Sequence, residues 1–256
     1  MAYDYKEMVQ RLVKALRLHT MPVAMKRCAT MEALKAIPKI RINTEKTLTA
    51  CQYIGQAARL GQTIGFTKDT LFGKQCVTSL GLVPKGEEFN SGSFYNGIWF
   101  GSEEDARKHQ AGCTCVTFDG CAGIALAPLE SGKIENPDTV LIYLTPGQMI
   151  YFINGLQYVD YEVIHATIVG ESSCTDTWCK AIATGKPCVS IPCFAERRYG
   201  GVPDDEMLIC LTPEQILKAL EGMDNLSKHG LRYPYAPYGV ANDCREGMGV
   251  SYPKGQ

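Results

Sequence analysis

Twelve cysteines against four histidines in 256 residues make thiol chemistry the first thing to ask of this chain. Two physical explanations compete for so many thiols: an oxidised disulfide framework, or thiolate coordination of a metal. The N-terminus MAYDYKEMVQRLVKALRLH alternates charge with a helical apolar stripe and does not read as a secretion signal, so the disulfide explanation loses most of its weight. None of His19, His109, His165 and His229 is spaced with cysteines as in a zinc finger. An all-cysteine site is left, with zinc or an iron-sulfur cluster as the cation. For any single cysteine the alternative is a small buried hydrophobe.

Spacing narrows the choice of ligands. The stretch CTDTWCKAIATGKPCVSIPC holds Cys174, Cys179, Cys188 and Cys193. Ser172 or Ser173 offers an N-cap, Trp178, Ala181 and Ile182 an apolar face, and Gly185 a stop. A helix of about eleven residues rises about 16 Å, and the short strand after it climbs roughly the same distance back. Cys193 therefore returns to the level of Cys174, while Cys179 lies about 140° round the helix and Cys188 faces the other side of the strand. The outer two thiols are the expected ligand pair, and Cys179 and Cys188 are packing residues. The same order occurs upstream: a helix over Thr47 to Leu60 with Cys51 in its first turn, a stop at Gly61, a strand over Gln62 to Phe66, then Cys76. Two such units bring Cys51, Cys76, Cys174 and Cys193 together as a four-thiolate site on a pseudo-twofold axis. Cys51 and Cys174 sit near helix N-termini, where the macrodipole favours thiolate. The ligands are far apart in sequence, unlike the close CxxC knuckles of structural zinc sites, so the expectation leans to a 4Fe-4S cluster with Zn as the alternative. Cys113, Cys115 and Cys121, in the loop CTCVTFDGC, are either a second metal site or loop packing.

Arg197 and Arg198, shortly after Cys193, are expected to bind an anionic substrate or to hydrogen-bond cluster sulfurs, with surface solvation as the alternative. Lys26, in PVAMK, is a weaker catalytic candidate. Glu171 and Glu196 are available for acid–base steps.

These residues need elements to hold them. Residues 4–18 read as an amphipathic helix capped by Asp4 and Glu7, PVAMK as a strand, Met31 to Ala36 as a short helix, Glu103 to Gln110 as a polar helix, and Tyr161 to Val169 as a strand. DTVLIYLTPGQMIYFING (138–155) matches DEMLICLTPEQILKALEG (205–222) at eight of eighteen positions, an internal repeat. Each copy reads as a buried strand turning into a helix, with Thr145 or Thr212 as N-cap, Pro146 or Pro213 at N1 and Gln148 or Gln215 closing a capping box. IALAPL (124–129) is similar to VSIPCF (189–194) and extends the repeat. The expected fold is α/β (α+β), a single domain of two pseudo-symmetric halves, each a small mixed sheet with covering helices. That domain spans 1–226, and a Tyr/Pro/Gly-rich extension, docked or in an oligomer contact, follows over 227–256.

A net charge of -1 argues against nucleic acid or an anionic membrane as partner, and the apolar runs are too short for a membrane span. A cytoplasmic location is expected. No Walker loop, strand-borne GxGxxG or GxSxG is present.

Several of these stretches together carry a resemblance. PVAMK, Cys51 with AARLG, Cys76 before Gly-Leu, PDTVLIYLTP, ATGKP, and Cys193 with a following arginine make the chain similar to the DUF169 family, prokaryotic proteins named as having unknown function, over roughly residues 8–225. The resemblance implies family cysteines at Cys51, Cys76, Cys174 and Cys193 and no defined activity. The chain departs from that pattern in its eight further thiols and its tail. The expected function is a 4Fe-4S protein of anaerobic metabolism, a reductase or electron-transfer component. Alternatives are a lyase or dehydratase with an open iron, or a non-catalytic zinc or thiol module that is structural or redox-sensing. Expected partners are a small-molecule substrate or a redox partner protein, with homo-oligomer formation left open.

Overall fold

The computed structural model describes residues 3–243. The chain opens with α1 (Tyr5–Leu16), capped by the Asp4 carboxylate, which accepts from the Glu7 N–H, and continues through β1 (Val23–Cys28), α2 (Met31–Lys35), β2 (Arg41–Ile42) and β3 (Leu48–Thr49). Next come α3 (Ala50–Leu60), β4 (Ile64–Phe66), β5 (Leu71–Phe72), α4 (Lys74–Ser79), α5 (Glu87–Ser91), α6 (Glu103–Gly112) and β6 (Gly123–Pro128). The repeat region supplies β7 (Thr139–Leu144) and α7 (Pro146–Val159), then α8 (Ser173–Asp176), α9 (Trp178–Thr184), β8 (Cys188–Ser190), α10 (Phe194–Gly200), β9 (Met207–Leu211) and α11 (Pro213–Lys228).

Seven strands form one mixed sheet in the order β2-β4-β6-β1-β7-β9-β8, antiparallel except for β2 and β4, while β3 and β5 pair in parallel beside it. Strand alternation sends successive side chains to opposite faces. Ala125 and Ala127 of β6, Val140 and Ile142 of β7, and Ile209 and Leu211 of β9 pack on α1, α7 and α11. Their neighbours Ile124, Leu126, Leu141, Tyr143, Leu208 and Cys210 pack on α3 and α9. The result is a single α/β domain with helices on both faces.

Both copies of the repeat fold as strand into helix, each with its capping box: Gln148 Oε1 accepts from the Thr145 N–H at 2.8 Å and Gln215 Oε1 from the Thr212 N–H at 2.8 Å. β7 and β9 pair directly. Their helices cross where the last residues of the two copies meet: a Cβ on Gly222 would overlap the Gly155 carbonyl. The strands of the two halves thus join one sheet instead of making two. Upstream the copies differ, because β1 is inserted between β6 and β7 whereas β8 lies directly beside β9.

Two expected elements change. The helix after Ser172 breaks at Thr177 (φ -114°, ψ -89°) into the single turn α8 and the longer α9. Tyr161 to Val169 is irregular, with one bridge from Ala166 to Val189; Ile164 packs against the core, while Tyr161, Val163 and Ile168 are exposed, so the stretch has no continuous buried face. The C-terminal extension begins inside the last turn of α11, and Tyr235 docks edge-on to Tyr151 with ring centroids 6.2 Å apart. Its residues 244–256, Cys244 among them, lie outside the described residues. Among the described residues no helix is long and apolar enough to cross a membrane.

Candidate functional site

On the face of the sheet covered by α3 and α9, a cavity of about 350 Å³ is lined by Cys51, Cys76, Cys174 and Cys193 together. Cys51 stands in the first turn of α3, whose start is fixed by a capping box: Gln52 Oε1 accepts from the Thr49 N–H at 2.9 Å, and Thr49 Oγ1 accepts from the Gln52 N–H at 3.1 Å. Cys76 is in α4, Cys174 in the single-turn α8, and Cys193 is the N-cap of α10. Helices α3 and α10 cross closely, since a Cβ on Gly55 would lie 2.8 Å from the Gly200 carbonyl oxygen. That approach seats the last residue of α10 on the first turn of α3, where a Cβ on Gly200 would lie 3.1 Å from the Cys51 carbonyl oxygen. Cys51, Cys174 and Cys193 are buried and Cys76 is part-exposed; every described cysteine is a free thiol.

Burial overrides the helix dipoles here. The Cys51 thiol is pushed well up by loss of solvent and then by the Glu196 charge. Cys174 is raised first by its hydrogen bond with Cys76 and then by burial. Cys193 is raised by burial and by the charges of Glu196 and Glu171. The expected stabilisation of thiolate does not prevail at either residue: α8, with only four residues, lends Cys174 little dipole, and at Cys51 burial and the Glu196 charge outweigh the eleven-residue α3. Without a cation these groups are thiols; a bound metal would displace their protons.

A carboxyl network holds two of the four cysteines in place. Glu196 is completely buried; Tyr143 Oη donates to its Oε1 at 2.9 Å and Ser173 Oγ donates to its Oε2. The Ser173 hydroxyl in turn accepts from the Cys193 N–H at 3.0 Å. One serine next to Cys174 is thereby tied to the backbone of Cys193. Burial raises the Glu196 carboxyl, opposed by its hydrogen bonds from Ser173 and Tyr143. Glu171 also lines the cavity, and burial raises it too. Tyr95, from the irregular aromatic stretch, is hydrogen-bonded to Ser172 at 2.7 Å on the cavity wall. Burial pushes its phenol up.

The basic residues expected beside the thiols are elsewhere. Lys26 lies on the opposite face of the sheet, between Met25 and Arg27 and level with Ala125, and its ammonium donates to the Glu135 carbonyl at 2.7 Å. Arg197 donates to the Pro203 carbonyl and lies 3.8 Å from Asp204, and Arg198 is exposed. None of the three is among the cavity-lining residues. The helix α10 explains this: its inward face carries Glu196 and Gly200, which leaves Arg197 and Arg198 on the outer side. Cys179 and Cys188 are buried in the core and do not line the cavity. The thiols of the second cysteine group diverge. Cys113 meets Gln75 Nε2 at 3.5 Å and His109 Nε2 at 3.7 Å, Cys115 meets Ser79 Oγ at 3.9 Å, and Cys121 donates to the Gly123 carbonyl at 3.2 Å.

Among the described residues no group of three or more His, Cys, Asp or Glu is arranged to hold a single metal ion. The four thiols surround a cavity instead, a donor set whose softness suits iron-sulfur or another thiophilic centre. Tyr95, Ser173 and Tyr143 carry no sequence signal of a site; only the pairing of Glu196 with Cys193 three residues earlier hints at the network.

No curated protein and no solved structure matches the chain. The family model of DUF169, described as uncharacterised ArCR, matches residues 11–222, most of its length. The chain belongs to the DUF169 family.

Proposed function

We propose that the chain is a cytoplasmic iron-sulfur protein that holds a 4Fe-4S cluster through Cys51, Cys76, Cys174 and Cys193 and serves as a reductase or electron-transfer component for a small molecule in anaerobic metabolism. The observation that carries this reading is the convergence of four thiols, from four separate helices or caps, on one cavity. A cluster would supply one-electron transfer there. The wide sequence separation of the four thiols, unlike the close CxxC knuckles of structural zinc sites, is what favours a cluster over zinc. Three of the four thiols are buried and Cys76 is part-exposed, and the Glu196–Ser173 network ties the Cys193 backbone to the residue before Cys174.

Anaerobic purification, or reconstitution with ferrous iron and sulfide, tests the reading. The expected product is brown protein with broad visible absorption and iron and acid-labile sulfide in equal amounts. Colourless protein carrying stoichiometric zinc, with neither iron nor sulfide after reconstitution, would sink it. A reducible cluster favours electron transfer; a cluster that loses one iron readily on oxidation favours the lyase alternative with an open iron.

A further inference from the structure

The remaining wall of the thiol cavity says what kind of molecule it receives, an inference that rests on this cavity being the working site. Phe72, Phe94, Tyr95 and Tyr199 supply aromatic surface, and Glu171 and Glu196 supply carboxyl groups. Among the described lining residues the one cationic side chain is Lys74. It is largely exposed, is ion-paired with Glu88, and holds its ammonium 5.6 Å from the centre of the Phe94 ring. Its charge is therefore already matched on the outer side. Arg197 and Arg198, the groups that could have met an anion, face away, as described above. A carboxylate or phosphate entering this space would lose its hydration and meet two carboxyl groups with no free cation in the wall. An organic cation would meet aromatic faces and carboxyls, both attractive to positive charge, and a flat neutral amide would lose little. In the metal-free protein the volume, about 350 Å³, is near the lower end of the range for small-ligand sites, about 300–1,000 Å³, and a cluster on the four thiols would take part of it.

We infer that the cavity takes a small planar nitrogen-containing organic molecule, cationic or neutral, and rejects carboxylates and phosphates.

Three probes of matched shape separate the outcomes: benzamidine (cation), benzamide (neutral) and benzoate (anion). The readout is the rate at which iodoacetamide alkylates Cys76, the part-exposed cavity thiol, in reduced, metal-free full-length protein, followed by peptide mass mapping. Benzamidine is expected to slow alkylation severalfold, benzamide by less, and benzoate not at all. Protection by benzoate equal to that by benzamidine, or no protection by benzamidine, would overturn the inference. In Glu171→Gln the advantage of benzamidine over benzamide should shrink; an unchanged advantage would overturn Glu171 as the partner of the cation. The wild-type comparison stands even if that variant folds poorly. Because no metal is present, the result is independent of iron binding. Protection without cluster assembly would remove the iron-sulfur reading alone, and cluster assembly without protection would remove the ligand inference alone.

Discussion

Glu196 illustrates how much one buried residue organises. It has no exposed surface, yet it receives hydrogen bonds from Tyr143 and Ser173, and through Ser173 it fixes the Cys193 backbone. Glu196→Leu would strand both hydroxyls in the core, at about 1–3 kcal/mol for each unsatisfied group. Urea unfolding of the metal-free protein should show this loss, with Glu196→Gln less affected because its amide oxygen keeps one acceptor; equal stability of the leucine variant and wild type would refute the network. The cysteines divide in the same residue-by-residue way. Serine at Cys51, Cys76, Cys174 or Cys193 is expected to lower iron content after reconstitution, whereas serine at Cys179 or Cys188 is not, since those two lie in the packed core away from the cavity. Equal loss at all six positions would show that the cavity does not define the ligands.

Two helix crossings, one on each face of the sheet, separate the site from the scaffold. Gly155 and Gly222 bring α7 against α11 on the face away from the thiols, and Gly55 and Gly200 bring α3 against α10 beside them. Overpacking a close contact costs about 1–3 kcal/mol. Gly222→Ala should therefore lower the melting temperature while leaving the iron bound per folded molecule unchanged. Gly55→Ala pushes on backbone, which cannot swing aside, and should reduce iron loading as well as stability by shifting Cys51 relative to Cys193. Calorimetry with iron analysis on both variants decides the matter: iron loss in Gly222→Ala, or none in Gly55→Ala, would contradict this division. The end of α3 was readable from Gly61, whereas its expected start at Thr47 moves to Ala50, because Leu48 and Thr49 pair as β3 and Thr49 with Gln52 forms the capping box. The break at Thr177 was not readable, since the residues from Ser173 to Thr184 contain no proline or glycine to mark it.

Across the whole molecule, the cavity joins parts of the chain more than a hundred residues apart, from Cys51 in α3 to Cys193 at α10. A centre bound only by the native fold should stabilise it by mass action. Reconstitution with iron and sulfide is thus expected to raise the melting temperature of wild-type protein and not that of Cys174→Ser; an identical melting temperature with and without the centre would argue against a site bridging the two halves. By itself the sequence determined the strand-into-helix repeat, most caps and the assignment of four thiols to two like motifs, because periodicity and capping depend on residues a few positions apart. Only the tertiary structure decided that both halves share one sheet, that Lys26 falls on the far face and Arg197 and Arg198 on the outer side of α10, and that burial raises the Cys51 and Cys193 thiols. Those outcomes depend on which surfaces meet and exclude water. Contacts between distant segments set that, and the order of residues along any one segment does not.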